Sequence, residues 1–160
     1  MIRKVKLSDA KQIVDIYNYY IKDTIITFEK DLIDKKEMEK RIKKILEDYF
    51  WIVYEENNKI LGYAYVGKWR ERTAYKFTVE SSIYLDKNYT GKGIGEKLYR
   101  ELIKTSKNKG LKAIMGVISI PNESSIKLHE KLGFYKAGYF KEVGIKFDKW
   151  IDVAYYQLNL

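Results

Sequence analysis

The segment YTGKGIG, Tyr89–Gly95, carries three glycines within five positions. In front of it runs TVESSIYL, apolar and small, with the character of a strand. Behind it runs EKLYRELIKTSKNKG, with the period of a helix. Glycine weakens any regular element, so a cluster of it marks backbone that must come close to something. A helix N-terminus offers unpaired amide donors and a partial positive charge. If the preceding turn lacks side chains, a pyrophosphate can lie against several amides at once, and Lys92 adds a cation at the rim. A plain tight turn fits the same residues. The triphosphate loop ending in Gly-Lys-Ser/Thr is excluded, because Lys92 is followed by Gly93. The dinucleotide fingerprint is excluded by position, since it opens the first strand-helix unit of a parallel fold.

Outward from this turn the periodicity sets the order of elements. IRKVK alternates and predicts a first strand. LSDAKQIVDIYNYYIK predicts a helix capped by Ser8 or Asp9, with Ile13, Ile16, Tyr17, Tyr20 and Ile21 on one face. DTIITFEKD reads as an irregular connection. A second helix is predicted from about Asp34 to Glu47, with Met38, Ile42, Ile45 and Leu46 as its apolar stripe. FWIVYEENNKILGYAYVGKW then reads as two strands around a polar turn, a hairpin signal. AYKFTVESSIYL is a third strand. In the helix after the glycine turn Ile94, Leu98, Leu102 and Ile103 share a face. KAIMGVIS predicts a buried strand, and NESSIKLHEKLG a short helix ending at Gly133. FKEVGIKFDKWIDVAYYQL supplies one or two last strands. Pro121, the only proline, falls at a strand-to-helix junction. The early strands have hairpin-length connections and must be antiparallel. The strands on either side of the glycine turn and its helix are joined by a crossover, so they must be parallel. A mixed α/β sheet follows, and residues 1–160 are expected to form one domain.

Composition removes several functions. There is no cysteine, which excludes disulfides, a thiol nucleophile and thiolate metal sites, and the single histidine argues against an imidazole metal centre. No leader-like apolar run opens the chain and no run is long enough to cross a bilayer, so a cytoplasmic address without membrane attachment is expected. The net charge of +9 suits polyanions. Most of it sits among interleaved acids, as in DKKEMEKRIKKILED, and no basic block alternates with aromatics in the manner of a single-strand binder. Nucleic acid is therefore not expected as a partner.

In this setting TGKGIG resembles the acetyl-CoA pyrophosphate loop of the GCN5-related N-acetyltransferases, the GNAT superfamily, whose pattern is Arg/Gln-x-x-Gly-x-Gly/Ala. Thr90 stands where Arg or Gln is usual. IYNYYI, TFE, GYAYVGKWRERTAYKFTVESSIYL, PNESSIKLHEKLGF and VGIKFDKWIDVAYYQ occur in order along nearly the whole chain. Together they resemble the phosphinothricin and methionine sulfone acetyltransferase branch. The resemblance implies a mostly antiparallel twisted sheet with one parallel strand pair at the loop and about four flanking helices. It implies acetyl-CoA as co-substrate, no metal, a small amine or amino-acid acceptor, and a homodimer.

Amide formation from a thioester needs a neutral amine, and α-amino groups titrate near about 8 or above, so a base is useful. Glu80 is the candidate: a carboxylate within an otherwise apolar strand, where burial raises a carboxylate pKa. A strand glutamate facing solvent or paired with a lysine reads the same way. The resemblance implies that backbone of Ile83, Tyr84 and Leu85 pairs with the pantetheine arm as an added strand would. It assigns the pyrophosphate to the amides of Gly91, Lys92, Gly93, Ile94, Gly95 and Glu96, and a cofactor contact to Asn122, which also suits a helix N-cap. His129 stands where many relatives have a tyrosine acting as acid for the departing thiolate; a packed helix histidine is the other reading. Phe28, Glu29, Arg72 and Tyr75 match positions near the acceptor pocket, and Arg72 could clamp an acceptor's acidic group. Lys136 falls where the branch often has histidine. A non-catalytic acyl-CoA sensor, and polyamine or peptide acceptors, are the competing functions; a sensor could dispense with Glu80.

Overall fold

The two asparagines of the ENNK turn take positive φ, 49° at Asn57 and 61° at Asn58. That is the backbone a two-residue hairpin turn needs, and asparagine tolerates it. They join β2 (Trp51–Glu56) to β3 (Lys59–Lys68) in a computed structural model that describes residues 1–160. The remaining elements are β1 (Ile2–Lys4), α1 (Ala10–Asp23), α2 (Lys35–Asp48), β4 (Thr78–Leu85), α3 (Ile94–Asn108), β5 (Ala113–Ile120), α4 (Glu123–Lys131), β6 (Tyr135–Lys146) and β7 (Lys149–Asn159). All seven strands form one sheet in the order β1-β2-β3-β4-β5-β7-β6. Every neighbouring pair is antiparallel except β4 and β5.

Both faces of the sheet are covered, which is why β3 reads as a nearly continuous apolar run. On one face α3 contributes Leu98, Tyr99 and Leu102 to a core with Ala64, Val66, Val79 and Ile114. On the other, α1 and α2 bring Ile13, Ile21, Met38 and Ile42 against Val53, Ile60 and Tyr63. No helix is long and apolar enough to cross a membrane.

The parallel pair positions the site. Its ladder runs from Thr78 opposite Ala113 to Ser81 opposite Gly116, and there it stops. β5 continues to pair with β7 as far as Ile120 opposite Asp152, and β4 continues to pair with β3 as far as Leu85 opposite Gly62. Past Ser81 and Gly116 the two strands therefore part, and the sheet carries a split beside Ser82–Leu85.

Several local expectations change. Asp9 does not cap α1 with its side chain; it is buried, and its carboxylate accepts from the two terminal guanidinium nitrogens of Arg3 and from the Lys6 amide. Leu46 leaves the α2 stripe and lies exposed, while Ile45 beside it turns to the sheet at Gly67. The final hairpin begins at Tyr135, earlier than its sequence pattern suggested. Much of β6 is exposed on an edge strand, so alternation there is weak.

Candidate active site

Alternation along β4 sorts its side chains between the two faces. Val79 and Ser81 point toward α3, where Ser81 Oγ lies 2.6 Å from the Tyr99 hydroxyl. Glu80 therefore points toward the α1/α2 face, as Tyr84 does. Its partner across the ladder is Gly67, so no β3 side chain stands opposite it. A cleft of about 220 Å³ runs through the split and is lined from both faces. Glu80 and Ser82 meet it from β4, Ile26, Thr27 and Phe28 from the α1–α2 connection, and Asn122, Ser125 and His129 from α4. Burial pushes the Glu80 carboxyl above the ordinary glutamate value, and no neighbouring charge or hydrogen bond counters it.

His129 is 4% exposed and held from both ring nitrogens. Nδ1 lies 2.7 Å from the Ser125 carbonyl, which only accepts, so the ring hydrogen sits on Nδ1. Nε2 then accepts from the Tyr99 hydroxyl at 2.9 Å, which leaves Tyr99 to accept in turn from Ser81. Burial above all pushes the imidazole below its ordinary value. At neutral pH His129 is thus uncharged, with its one N–H committed to backbone. Gly116 leaves room for the ring: a Cβ there would stand 2.4 Å from Nε2.

At the glycine turn Gly91 and Gly93 adopt φ of 71° and 78°, and a Cβ on either would meet nothing within 4 Å. Gly93 is the N-cap of α3 and offers no side-chain cap. The first intrahelical bond runs from Lys97 N to Gly93 O, which leaves the Ile94, Gly95 and Glu96 amides outside the helical ladder. The Glu96 carboxylate in the first turn is paired with Arg100 and Lys131. Lys92 extends over the Tyr89 ring, 4.5 Å from its centroid. Open space before bare amides, and a strand edge without a β5 partner beside Ser82–Leu85, fit a pyrophosphate and an extended arm, although the Leu85 carbonyl already accepts from the Tyr20 hydroxyl at 2.6 Å. Asn122 caps α4, and the bonds from Ser125 N and Ser124 Oγ both use its Oδ1.

The acceptor-side residues divide. Phe28 lines the cleft. Glu29 does not; Arg41 grips it with two nitrogens at 2.9 and 2.7 Å, Tyr17 donates to it, and Arg41 above all holds its carboxyl below the usual value. Arg72 lines a separate hollow below the N-terminal end of β4, and Tyr75 packs edge-on against Trp69. Within one chain neither reaches Glu80's cleft. Lys136 is exposed and lies over the Tyr139 ring.

A model of the GNAT acetyltransferase domain matches residues 2–155. The chain belongs to the GNAT family. As a GNAT protein it is an acetyl-CoA-dependent N-acetyltransferase. It is 33% identical over 156 residues to the phosphinothricin N-acetyltransferase of Streptomyces viridochromogenes, covering 98% of this chain and 85% of that one. It is also 33% identical over 163 residues to the L-methionine sulfoximine/L-methionine sulfone acetyltransferase of Salmonella typhimurium, covering 99% and 94%. The crystal structure of a GNAT phosphinothricin acetyltransferase from Sinorhizobium meliloti, in complex with acetyl-CoA, superimposes with a TM-score of 0.96 at 36% identity, covering 100% of this chain and 88% of that one.

The sequence pattern did not single out Ser81 and Tyr99 in this GNAT site, nor Lys146 outside the cleft, behind the segment that carries Thr27. Lys146 is 2% exposed while its neighbours Ile145 and Phe147 are exposed, an inversion that no apolar pattern announces. Its ammonium donates to the carbonyls of Tyr20, Thr24 and Thr27 at 3.3, 2.7 and 2.7 Å. It ties the C-terminal end of α1, and with it the segment carrying Thr27 and Phe28, to β6. Lys146→Met is expected to cost about 2–3 kcal/mol, since it leaves these carbonyls without their charged donor. Urea denaturation measures that loss, and a higher acceptor KM with an unchanged acetyl-CoA KM shows the segment has loosened. Equal stability and kinetics would remove Lys146 from this role.

Proposed function

We propose that the protein moves the acetyl group of acetyl-CoA to the amine of a small amino-acid-like acceptor of the phosphinothricin, methionine sulfone or methionine sulfoximine kind, with Glu80 assisting deprotonation. The observation that carries this reading is an unpartnered, half-buried carboxylate at the edge of the strand split. Acetyl-CoA supplies an activated acyl carbon when bound. Glu80 takes the ammonium proton of the acceptor, directly or through water, and so exposes the attacking lone pair. Backbone of Ile83, Tyr84 and Leu85 holds the pantetheine arm along the free edge of β4. The bare amides from Gly91 to Glu96 hold the pyrophosphate, with Lys92 at the rim, and Asn122 adds a contact while it caps α4. His129 is assigned a positioning role, because its N–H is committed and a thiolate of pKa about 8.5 needs little help to leave.

Phe28 forms a wall for the acceptor. Glu29 supports that wall through Arg41 and Tyr17. Arg72 and Tyr75 contribute to acceptor binding only if a second copy carries them to the cleft. The edge hairpin supports a homodimer, since Phe140, Val143, Ile145, Phe147 and Trp150 are each exposed on it. A cytoplasmic location goes with this reading. The test is thiol release from acetyl-CoA with phosphinothricin, methionine sulfone, methionine sulfoximine, polyamines and peptides, beside light scattering at micromolar concentration. The α-amino acids are expected to turn over best, on a dimer. A strict monomer that acetylates peptides and ignores free amino acids would overturn the acceptor assignment and leave acetyl transfer standing.

A further inference from the structure

The cleft at Glu80 is lined by hydroxyls from both faces of the sheet, and on the α3 side nearly all their hydrogens are already used. A directional chain runs through the wall there. Ser81 donates to Tyr99, Tyr99 donates to His129 Nε2, and His129 Nδ1–H donates to the Ser125 carbonyl at 2.7 Å. The chain ends on the backbone of Ser125, in the first turn of α4. Ser125 Oγ lies 3.4 Å from the same Nδ1. That nitrogen carries its hydrogen, so the serine can only accept from it, and the serine's own hydrogen is left without a partner.

The other hydroxyls of the cleft lie elsewhere or are engaged. Thr27 Oγ1 is 2.9 Å from the Tyr17 hydroxyl. Ser82 and Tyr84 alternate with Glu80 and face α1 and α2. Ser119 follows Ile118, which joins the α3 core, so it too turns to the α1/α2 side. Asn122 uses Oδ1 in its cap and keeps its side-chain N–H pair for the cofactor contact given to it above. Ser125 is therefore the one hydroxyl on the α3 and α4 side of the cleft with a hydrogen to offer.

We propose that Ser125 is a catalytic residue of acetyl transfer, its hydroxyl donating a hydrogen bond to the CoA sulfur as the carbon–sulfur bond breaks. With the pyrophosphate at the glycine turn before α3, the arm enters the split from the α3 side, while Glu80 and Phe28 receive the acceptor on the other. The acyl carbon then faces Glu80 and the sulfur faces α4. The acceptor nitrogen bonds to the acyl carbon and gives its proton to Glu80, and the carbon–sulfur electron pair passes to sulfur. Ser125 keeps its proton, because an alcohol is a weaker acid than a thiol, and the thiolate takes one from water after release. His129 is the positioning residue behind it: its committed N–H holds the first turn of α4 and turns the serine hydrogen outward. The assignment rests on acetyl transfer in this cleft and is indifferent to which amine accepts.

The test is a pH titration of CoA bound to the wild type and to Ser125→Ala, read by the ultraviolet absorbance of the thiolate. Calorimetry with desulfo-CoA, which lacks the sulfur, is the control. The substitution leaves the Asn122 cap of α4 in place, and the titratable side chains lining the cleft, Glu80, Tyr84, Tyr99 and His129, are common to both proteins. Bound CoA is expected to ionise about one pH unit higher in Ser125→Ala, the loss of one hydrogen bond to a charged atom. The kcat should fall about tenfold with the acetyl-CoA KM unchanged, and desulfo-CoA should bind both proteins equally. A thiol that titrates alike in both would overturn the proposal. So would an equal loss of affinity for CoA and desulfo-CoA, which would make Ser125 a packing contact. Failure of desulfo-CoA to bind even the wild type would remove the CoA site itself, and this assignment with it.

Discussion

Glu80→Gln is expected to lower kcat by about two orders of magnitude, the range in which a positioned general base acts. Glutamine keeps the length and planar shape of the side chain and removes only the ability to take a proton. Acetyl-CoA affinity should be unaltered, because Glu80 faces the α1/α2 side of the sheet while the glycine turn precedes α3 on the other. The pH profile is the sharper readout. Burial raises the Glu80 pKa, so wild-type turnover should rise with pH through a midpoint above the ordinary glutamate range. That limb should vanish in the variant.

Stability gives an independent check with a fixed sign. A raised folded pKa means that the folded state binds this proton more tightly than the unfolded chain. The charged carboxylate therefore costs stability, and this cost is absent below the unfolded value and complete once pH exceeds the folded one. Glu80→Gln is expected to melt at the same temperature or higher at pH 7, and the advantage should disappear in acid. Near-normal turnover across pH would place the base elsewhere or leave the proton to solvent. A lower melting temperature at pH 7 would mean that the carboxylate has a stabilising partner.

The parallel pair that carries the split was legible because it follows from connectivity, while the point at which its ladder stops was not. A helix between TVESSIYL and KAIMGVIS forces those strands parallel, and the glycines at its start reveal which end is bare. Glu80 was legible as a charge out of place among apolar neighbours. The tautomer of His129 was not, since it depends on Ser125 one turn earlier and on Tyr99 in a different helix, and only the packing of α3 against α4 brings them together. Lys146 was hidden for the opposite reason. Its three carbonyl partners lie more than a hundred residues away in sequence, and a lysine between isoleucine and phenylalanine at a strand end reads as the exposed position of an alternating pair. Arg72 shows the limit of motif matching. The residue fits the family pattern, yet in one chain it lines a different hollow, so its contribution turns on assembly rather than on local sequence.

The glycine turn gives the second large effect, and its control is built into the same helix. Gly93 starts α3 at φ 78°, and Gly110 follows its other end at φ 75°; a Cβ at either position meets nothing within 4 Å. Valine at either site therefore suffers the same backbone strain, of the order of 1–2 kcal/mol, with no clash to add. The two positions differ only in what lies in front of them. At Gly93 the branched side chain enters the open space before the Ile94, Gly95 and Glu96 amides, and strain tilts those donors away from a pyrophosphate. Gly93→Val is expected to weaken CoA binding about a hundredfold, the loss of two or so charge-assisted amide contacts. Gly110→Val should lose similar stability in a melt and bind CoA as the wild type does. Calorimetry on the two folded variants separates the effects. If both kept wild-type affinity, the bare turn would have no part in holding CoA. If both lost affinity equally, the loss would come from general loosening of α3, and the bare amides would again drop out of the site.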